Sequence, residues 1–405
     1  MKRFVPVMLI LLLGVALIVG CGGSSTTTTA PAAGDSTTST AASTDTTMAT
    51  GEPIVIGVVT SLTGPLAATG SQVATGVQFA AKEWNDKGGV NGRQIDVVVE
   101  DDQSTPNGAV NAYNAVLSKD PAFTVGPTFT PLIMPLEPIL KDQAKRPMFT
   151  SATGTPITKG GDGWFFRMRT NDDKQAAILA TFALDTLKTQ KPGLIYPNND
   201  YGKSGRAVME SVLADAGIEF VAVETFNQGT DKDVSAQLNK IKNAGADVLI
   251  SWTVPTDSGM VNVQAKQVGF EGAILGGPGF GTPEYLKLAG DSAEGVYAAI
   301  DSMAGQSAET ADWKASVLKA FPDTPVSFVV SALYDATNIA LEQIAAGADS
   351  PEALRDAIAA VKDYAGVTGT YSFDAEHNGL HQGVVGQWTA GKFVPVETIV
   401  QLPEQ

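Results

Sequence analysis

Three hydroxyl residues occupy positions where they could hold an anion. Thr130 follows an apolar stretch at 123–126 and precedes Pro131, while Ser151 and Thr153 end or follow a second stretch at 147–151. If both stretches are strands, the hydroxyls lie at strand carboxyl ends, where ligands of open α/β sheets bind. Helix N-termini there present unpaired N–H groups and a positive dipole end to a carboxylate. The same residues would also serve simply as helix caps, with no ligand involved.

Signatures of turnover are weaker. Gly276-Gly277-Pro278-Gly279-Phe280-Gly281 is glycine-rich without the spacing that cradles phosphate, and Gly202-Lys203-Ser204-Gly205 lacks the second glycine of a nucleophile elbow. His377 and His381 fall in a turn around Asn378-Gly379, which favours exposed turn residues over a metal pair. Glu100-Asp101-Asp102 reads as a loop at a strand end, since Ca²⁺ sites space their oxygen ligands more widely. The chain carries 27 basic and 43 acidic residues, and this acidic balance opposes nucleic acid as a partner. Its one cysteine allows neither an internal disulfide nor a cysteine zinc site. No cofactor is expected.

These groups must be positioned by regular elements, and the pattern supplies them. Ile54 to Val59 is a β-branched run of a strand buried on both faces. Val73, Val77, Ala80, Ala81 and Trp84 share one helical face, which ends at Gly88-Gly89. A strand from Ile95 to Glu100 follows, then a helix opened by Thr105-Pro106. The alternation predicts further strands at 123–126, 147–151, 193–196, 219–224, 247–251 and 273–276. It predicts helices at 131–143, 174–187, 204–216, 232–243, 257–267 and 283–289. Helices near 311–320, 327–346 and 351–361 follow, the last announced by Ser350-Pro351, and short strands close the chain. So many units exceed one core; the expected fold is α/β, two doubly wound lobes with parallel-sheet cores.

The N-terminus reads as an export signal. Lys2 and Arg3 precede an apolar run, Phe4 to Val19, which is short for the ~20 residues of a membrane-crossing helix. The run ends in Ile18-Val19-Gly20-Cys21, similar to the lipobox of bacterial lipoproteins, so residues 1–20 are expected to be removed and Cys21 lipidated. Sixteen of the 31 residues at 22–52 are Ser or Thr and none is Leu, Ile, Val or aromatic. Residues 21–52 therefore read as a tether, with a reach on the order of 30 Å.

Ile54-Val55-Ile56-Gly57-Val58-Val59-Thr60-Ser61-Leu62-Thr63-Gly64-Pro65 resembles the opening of the branched-chain amino-acid-binding family of type I periplasmic binding proteins. Glu83 to Arg93, Asp101-Asp102-Gln103-Ser104, Tyr201-Gly202, Ala289 to Val296 and Tyr334-Asp335-Ala336 extend the resemblance over about 54–400. It implies two lobes joined by a three-stranded hinge, 54–170 with 300–383 and 171–299 with 384–402. It also implies a solute held in the cleft by hinge closure. Permease subunits with cytoplasmic ATPases would receive the solute from a monomer anchored at the outer face of the cytoplasmic membrane. By the same resemblance Thr130, with Phe129 beside it, and the Ser151–Thr153 loop receive the ligand carboxylate. Tyr201, Trp252 and Tyr334 supply flat walls, and Asp335 stands in as a partner for a ligand ammonium. Two positions depart from the pattern: Thr69 replaces a frequent aromatic, and Pro278 or Gly279 stands where leucine-binding members carry a Glu.

Two other functions compete. One is a ligand sensor of the same fold that does not transport, which the lipobox and tether disfavour; the other is an exported α/β enzyme, for which no nucleophile motif is present. Cys21 gives the first test. A fatty-acid probe fed to cells should label the wild-type chain and not Cys21→Ala, and equal labelling of both would refute lipidation.

Overall fold

The computed structural model describes residues 51–304 and 307–400. The leader, Cys21 and nearly all of the tether lie outside the described residues. The first lobe alternates β1 (Ile54–Thr60), α1 (Ala67–Asp86), β2 (Ile95–Asp101), α2 (Pro106–Leu117), β3 (Phe123–Val125), α3 (Thr130–Ile133), α4 (Glu137–Ile139), β4 (Met148–Thr150), α5 (Pro156–Gly160) and β5 (Phe165–Arg167). The second runs α6 (Asp172–Asp185), β6 (Pro192–Pro197), α7 (Asp200–Asp215), β7 (Ala222–Phe226), α8 (Ser235–Asn243), β8 (Val248–Ser251), α9 (Pro255–Gln267), β9 (Ala273–Gly276), α10 (Pro283–Ala289) and β10 (Tyr297–Ile300). Helices α11 (Ala311–Ala320), α12 (Phe328–Ala345) and α13 (Pro351–Ala359) follow. The short pair β11 (Tyr364–Ala365) and β12 (Thr370–Tyr371) precedes β13 (Gln382–Thr389) and β14 (Lys392–Val400).

Besides the β11–β12 pair, the described residues form two large sheets, both parallel through their first five strands. One has the order β2-β1-β3-β4-β5; the other has β7-β6-β8-β9-β10, extended by antiparallel β13 and β14. Both have the doubly wound order in which the second strand lies outside the first, so each has a switch point beside its first strand, between β1 and β3 and between β6 and β8. The central strands are buried along most of their length, as β-branched runs without alternation predict: β8 is Val-Leu-Ile-Ser with every residue covered.

The expected caps form. Thr105 Oγ1 accepts from the Gly108 amide at 3.0 Å, and the Ser350 hydroxyl accepts from the Ala353 amide at 3.2 Å. The helix expected at 131–143 is instead broken. Pro135 and Pro138 lack the N–H that a continuous ladder needs, so α3 passes through a 3₁₀ turn at Met134–Leu136 and α4 to a π turn at Leu140–Ala144. The strand expected at 219–224 begins at Ala222, because Gly217 ends α7 in a left-handed turn (φ +72°) and the chain needs 218–221 to return to the sheet. The histidine turn is less exposed than expected. His377 stacks on Phe166 with centroids 4.4 Å apart, and His381 bonds Lys174 Nζ at 2.8 Å and the Ser372 carbonyl at 3.0 Å.

Helices α1 and α12 pack face to face, and Gly76 sets their separation. A Cβ at Gly76 would stand 2.4 Å from the Val330 carbonyl oxygen and 3.1 Å from the Tyr334 nitrogen. Backbone cannot rotate aside as a side chain can. Gly76→Ala should therefore destabilise the fold by about 1–3 kcal/mol, measured as a lowered midpoint in urea; an unchanged midpoint would show that the two helices separate freely.

Candidate functional site

The carboxyl ends of both sheets border one cleft of about 780 Å³, within the size range of small-molecule sites. From the first lobe come Leu66 and Thr69 after β1, Phe129 and Thr130 after β3, and Thr153 after β4. From the second come Asn199 and Tyr201 after β6, Gln228 after β7, Asp257 after β8, and Pro278, Gly279 and Glu284 after β9. The cleft is what strand polarity dictates when two such sheets point their carboxyl ends at each other.

Thr130 is oriented by its neighbour. Its Oγ1 accepts from the Gly154 amide at 3.1 Å, which leaves the hydroxyl proton for another acceptor. That approach requires a glycine, since a Cβ at position 154 would lie 2.4 Å from Thr130 Cγ2. The 152–154 loop is held from behind by Arg167, which is fully buried. Its guanidinium donates to the Ala152 carbonyl at 3.2 Å, to the Gly154 carbonyl, and to Asn378 Oδ1 at 2.7 Å. Burial pulls the Arg167 pKa down to about 10, so it stays charged at neutral pH. Burial also lifts the neighbouring Asp172 carboxyl to about 7.

Ser151 lies one layer below the cleft, buried, with its hydroxyl bonded to that of Thr128. The remaining aromatic expectations separate. Tyr201 lines the cleft and stacks on Trp252 at 5.0 Å and 21°. Trp252 is a backing residue and not a wall: it is fully buried and donates Nε1–H to the Tyr201 carbonyl at 3.1 Å. Tyr334 faces away from the cleft, against Phe79 and Trp313, and its hydroxyl donates to Glu83 at 2.6 Å. Asp335 does not reach the cleft either. It is buried and accepts the Val367 and Thr368 amides at 2.9 and 2.8 Å, closing the loop before β12. Periodicity puts residues of α12 on shared faces without saying which face meets the cleft, and the face that does starts at Ser327, Phe328 and Val329.

Four charged side chains line the cleft. Arg169 pairs with Asp301 at 2.6 Å and lies over the Phe328 ring at 4.5 Å. Lys232 donates to the Gly229 carbonyl at 2.8 Å. Burial raises the Glu284 carboxyl, against the pull of a hydrogen bond from Thr69 in the opposite lobe. Burial likewise raises Asp257 to about 6, with Lys232 and Gln228 pulling it back only in part. The Glu100–Asp102 segment serves the cleft rim: Asp101 accepts the Leu62 amide at 2.9 Å and the Thr63 hydroxyl at 2.6 Å, and Asp102 accepts the Ser61 hydroxyl at 2.5 Å.

A family model described as periplasmic binding protein matches residues 53–392. The chain belongs to the periplasmic binding protein family. A Leu/Ile/Val-binding protein homolog from Brucella melitensis is 31% identical over 60% of this chain and 66% of its own length. A leucine-, isoleucine-, valine-, threonine-, and alanine-binding protein from Pseudomonas aeruginosa is 29% identical over 80% and 86%. The crystal structure of LivJ, a branched-chain amino acid transporter substrate-binding protein from Streptococcus pneumoniae in complex with isoleucine, superposes with a TM-score of 0.76. It is 28% identical and covers 86% of this chain and 99% of that one.

In this periplasmic binding protein, Asp257, Glu284 and Arg169 escaped the sequence reading. The signal for the two acids was present, since Val254-Pro255-Thr256-Asp257 and Thr282-Pro283-Glu284 are strand-end, helix-opening segments like the one around Thr130. Asp257 carries a consequence for stability. Its carboxyl rises from 3.8 to about 6 on folding, so between those values the folded chain holds a proton that the unfolded chain has lost. Stability therefore falls as pH rises through that window. Asp257→Asn should stabilise the ligand-free chain at neutral pH by on the order of 1–2 kcal/mol. The gain should vanish below about pH 4, as urea unfolding at both pH values would reveal.

Proposed function

We propose that this chain is the solute-capture subunit of an ABC importer, binding an amino acid or related small carboxylate in the cleft between its lobes. The observation that supports the reading is Thr130, whose oxygen accepts from the Gly154 amide at 3.1 Å, which leaves its hydroxyl proton for a further acceptor. Thr153 stands beside it in the cleft wall, and the Arg167 guanidinium consumes the carbonyls of the supporting loop, so the rim presents donors to an anion. Phe129 and Tyr201 offer ring faces to the apolar part of the solute. The binding names of the Pseudomonas protein and of the isoleucine-bound LivJ support an amino-acid ligand.

The solute is delivered, not converted. The two lobes close about the three chain crossings that join them, and permease subunits with cytoplasmic ATPases recognise the closed form. Cys21 would hold the protein at the outer face of the cytoplasmic membrane; no helix among the described residues is long and apolar enough to cross one. The protein acts as a monomer in this scheme.

Calorimetry tests the site directly. Thr130→Val and Thr153→Val should each weaken the best-bound amino acid roughly ten- to a hundredfold, the loss of one hydrogen bond to a charged group. Unchanged affinity in both would move the carboxylate elsewhere.

A further inference from the structure

Neither Lys174 nor His381 lines the cleft, yet together they join two of the chain passages between the lobes. Lys174, in the first turn of α6 in the second lobe, places Nζ 2.8 Å from Nδ1 of His381, which lies on the passage into β13. The other ring nitrogen, Nε2, stands 3.0 Å from the carbonyl of Ser372, next to β12. A carbonyl only accepts, so Nε2 carries the ring proton and Nδ1 is left as the acceptor for the Lys174 ammonium. The imidazole is thereby fixed as one neutral tautomer. Ser372, His381 and Lys174 form a continuous strap from the first lobe, over the hinge, to the second. The two passages are also tied beneath it, where the Thr170 hydroxyl donates to the Gln382 carbonyl.

The strap has no place for a second proton. A protonated Nδ1 would meet the Lys174 ammonium donor to donor, with two like charges in contact. The surrounding charges do not offset this. Asp374 acts on His381, but its Oδ1 accepts the Glu376 and Asn378 amides, both at 2.9 Å, and both of its oxygens accept from Asn378 Nδ2. Lys362 adds a further cation, with Nζ turned to the Phe373 carbonyl. Of the groups that act on Lys174, Glu376 pairs with Lys159 at 3.6 Å and Arg167 holds Asn378 at 2.7 Å. Burial, and then Lys174, hold the His381 pKa below its ordinary value. A ring released from the strap regains an ordinary pKa of about 6.5, so acid favours the released form.

We propose that Lys174 and His381 form an acid-released strap across the hinge: a proton on His381 Nδ1 breaks the contact and shifts the lobes from the arrangement in which it is made. The inference requires lobes that move about their crossings and no particular solute.

The test has two arms, both without solute. In the first, the full chain carries ¹⁵N-labelled histidine, whose nitrogen shifts report tautomer and charge. The chain has two histidines, so the His381→Gln spectrum identifies the His381 signals. At about pH 7.5 His381 should be neutral with its proton on Nε2, and Lys174→Met should raise its titration midpoint by about half a pH unit or more. A proton on Nδ1 at that pH, or an unmoved midpoint in Lys174→Met, overturns the proposal. In the second arm, Leu62→Cys and Leu288→Cys, one exposed position in each lobe, carry a donor and acceptor dye pair on a Cys21→Ser background. Energy transfer should change between about pH 7.5 and about pH 5.5, and His381→Gln should keep less than about half of that change. Asp172 and Asp257, raised to about 7 and about 6, titrate in the same range, so the comparison with the variant decides. Transfer that ignores pH, or that responds equally in His381→Gln, overturns the proposal and leaves the capture of a solute in the cleft untouched.

Discussion

The structure depends on one buried carboxylate where the chain passes between its two sheets. Asp301 is fully covered, accepts from Arg169 Nε at 2.6 Å through one oxygen and from Gln175 Nε2 at 2.9 Å through the other. Arg169 lies on the passage from β5 to α6, Asp301 on the passage out of β10, and Gln382 on the passage into β13, where its carbonyl accepts from the Thr170 hydroxyl. All three crossings are thus tied at one point. Burial alone raises the Asp301 carboxyl, and Arg169 opposes that cost. Removing one partner of such a pair strands a charge in low dielectric, which makes the joint hard to break.

That joint fixes which surfaces face each other. Because both sheets share the same strand order, tying them at this point sets the two switch points on either side of one cleft. Arg169 belongs to both features, since the guanidinium that grips Asp301 also lines the cleft over Phe328. Under the proposed function, a solute over Phe328 would lie beside the side chain that fixes the joint.

The cleft is chemically divided. The first lobe offers hydroxyl and amide donors around Thr130, with the supporting carbonyls already taken by Arg167. The second lobe offers carboxyl groups, Asp257 and Glu284, both raised by burial. Burying an unpaired acceptor such as Asp257 Oδ2 works against folding.

The sequence by itself determined most of the elements, but α5 and the strands β5 and β10, each only three to five residues long, went unread because so short a run carries little periodicity. Runs such as Ile54–Thr60 and Val248–Ser251 read as strands buried on both faces, and Thr105-Pro106 and Ser350-Pro351 marked two helix starts, because these signals are local. That Thr130 and Thr153 lie at strand carboxyl ends was legible too, and both border the cleft. Tertiary structure decided what local pattern cannot. Trp252 could be a wall or a backing residue until Tyr201 was seen stacked in front of it, and Tyr334 and Asp335 could have faced the cleft until α12 was docked on α1 with Gly76 between them. The pairing of Arg169 with Asp301 spans 132 positions of chain. Periodicity names the residues that share a face, but the identity of the partner that covers that face is a long-range fact, set by packing and by the joint between the lobes.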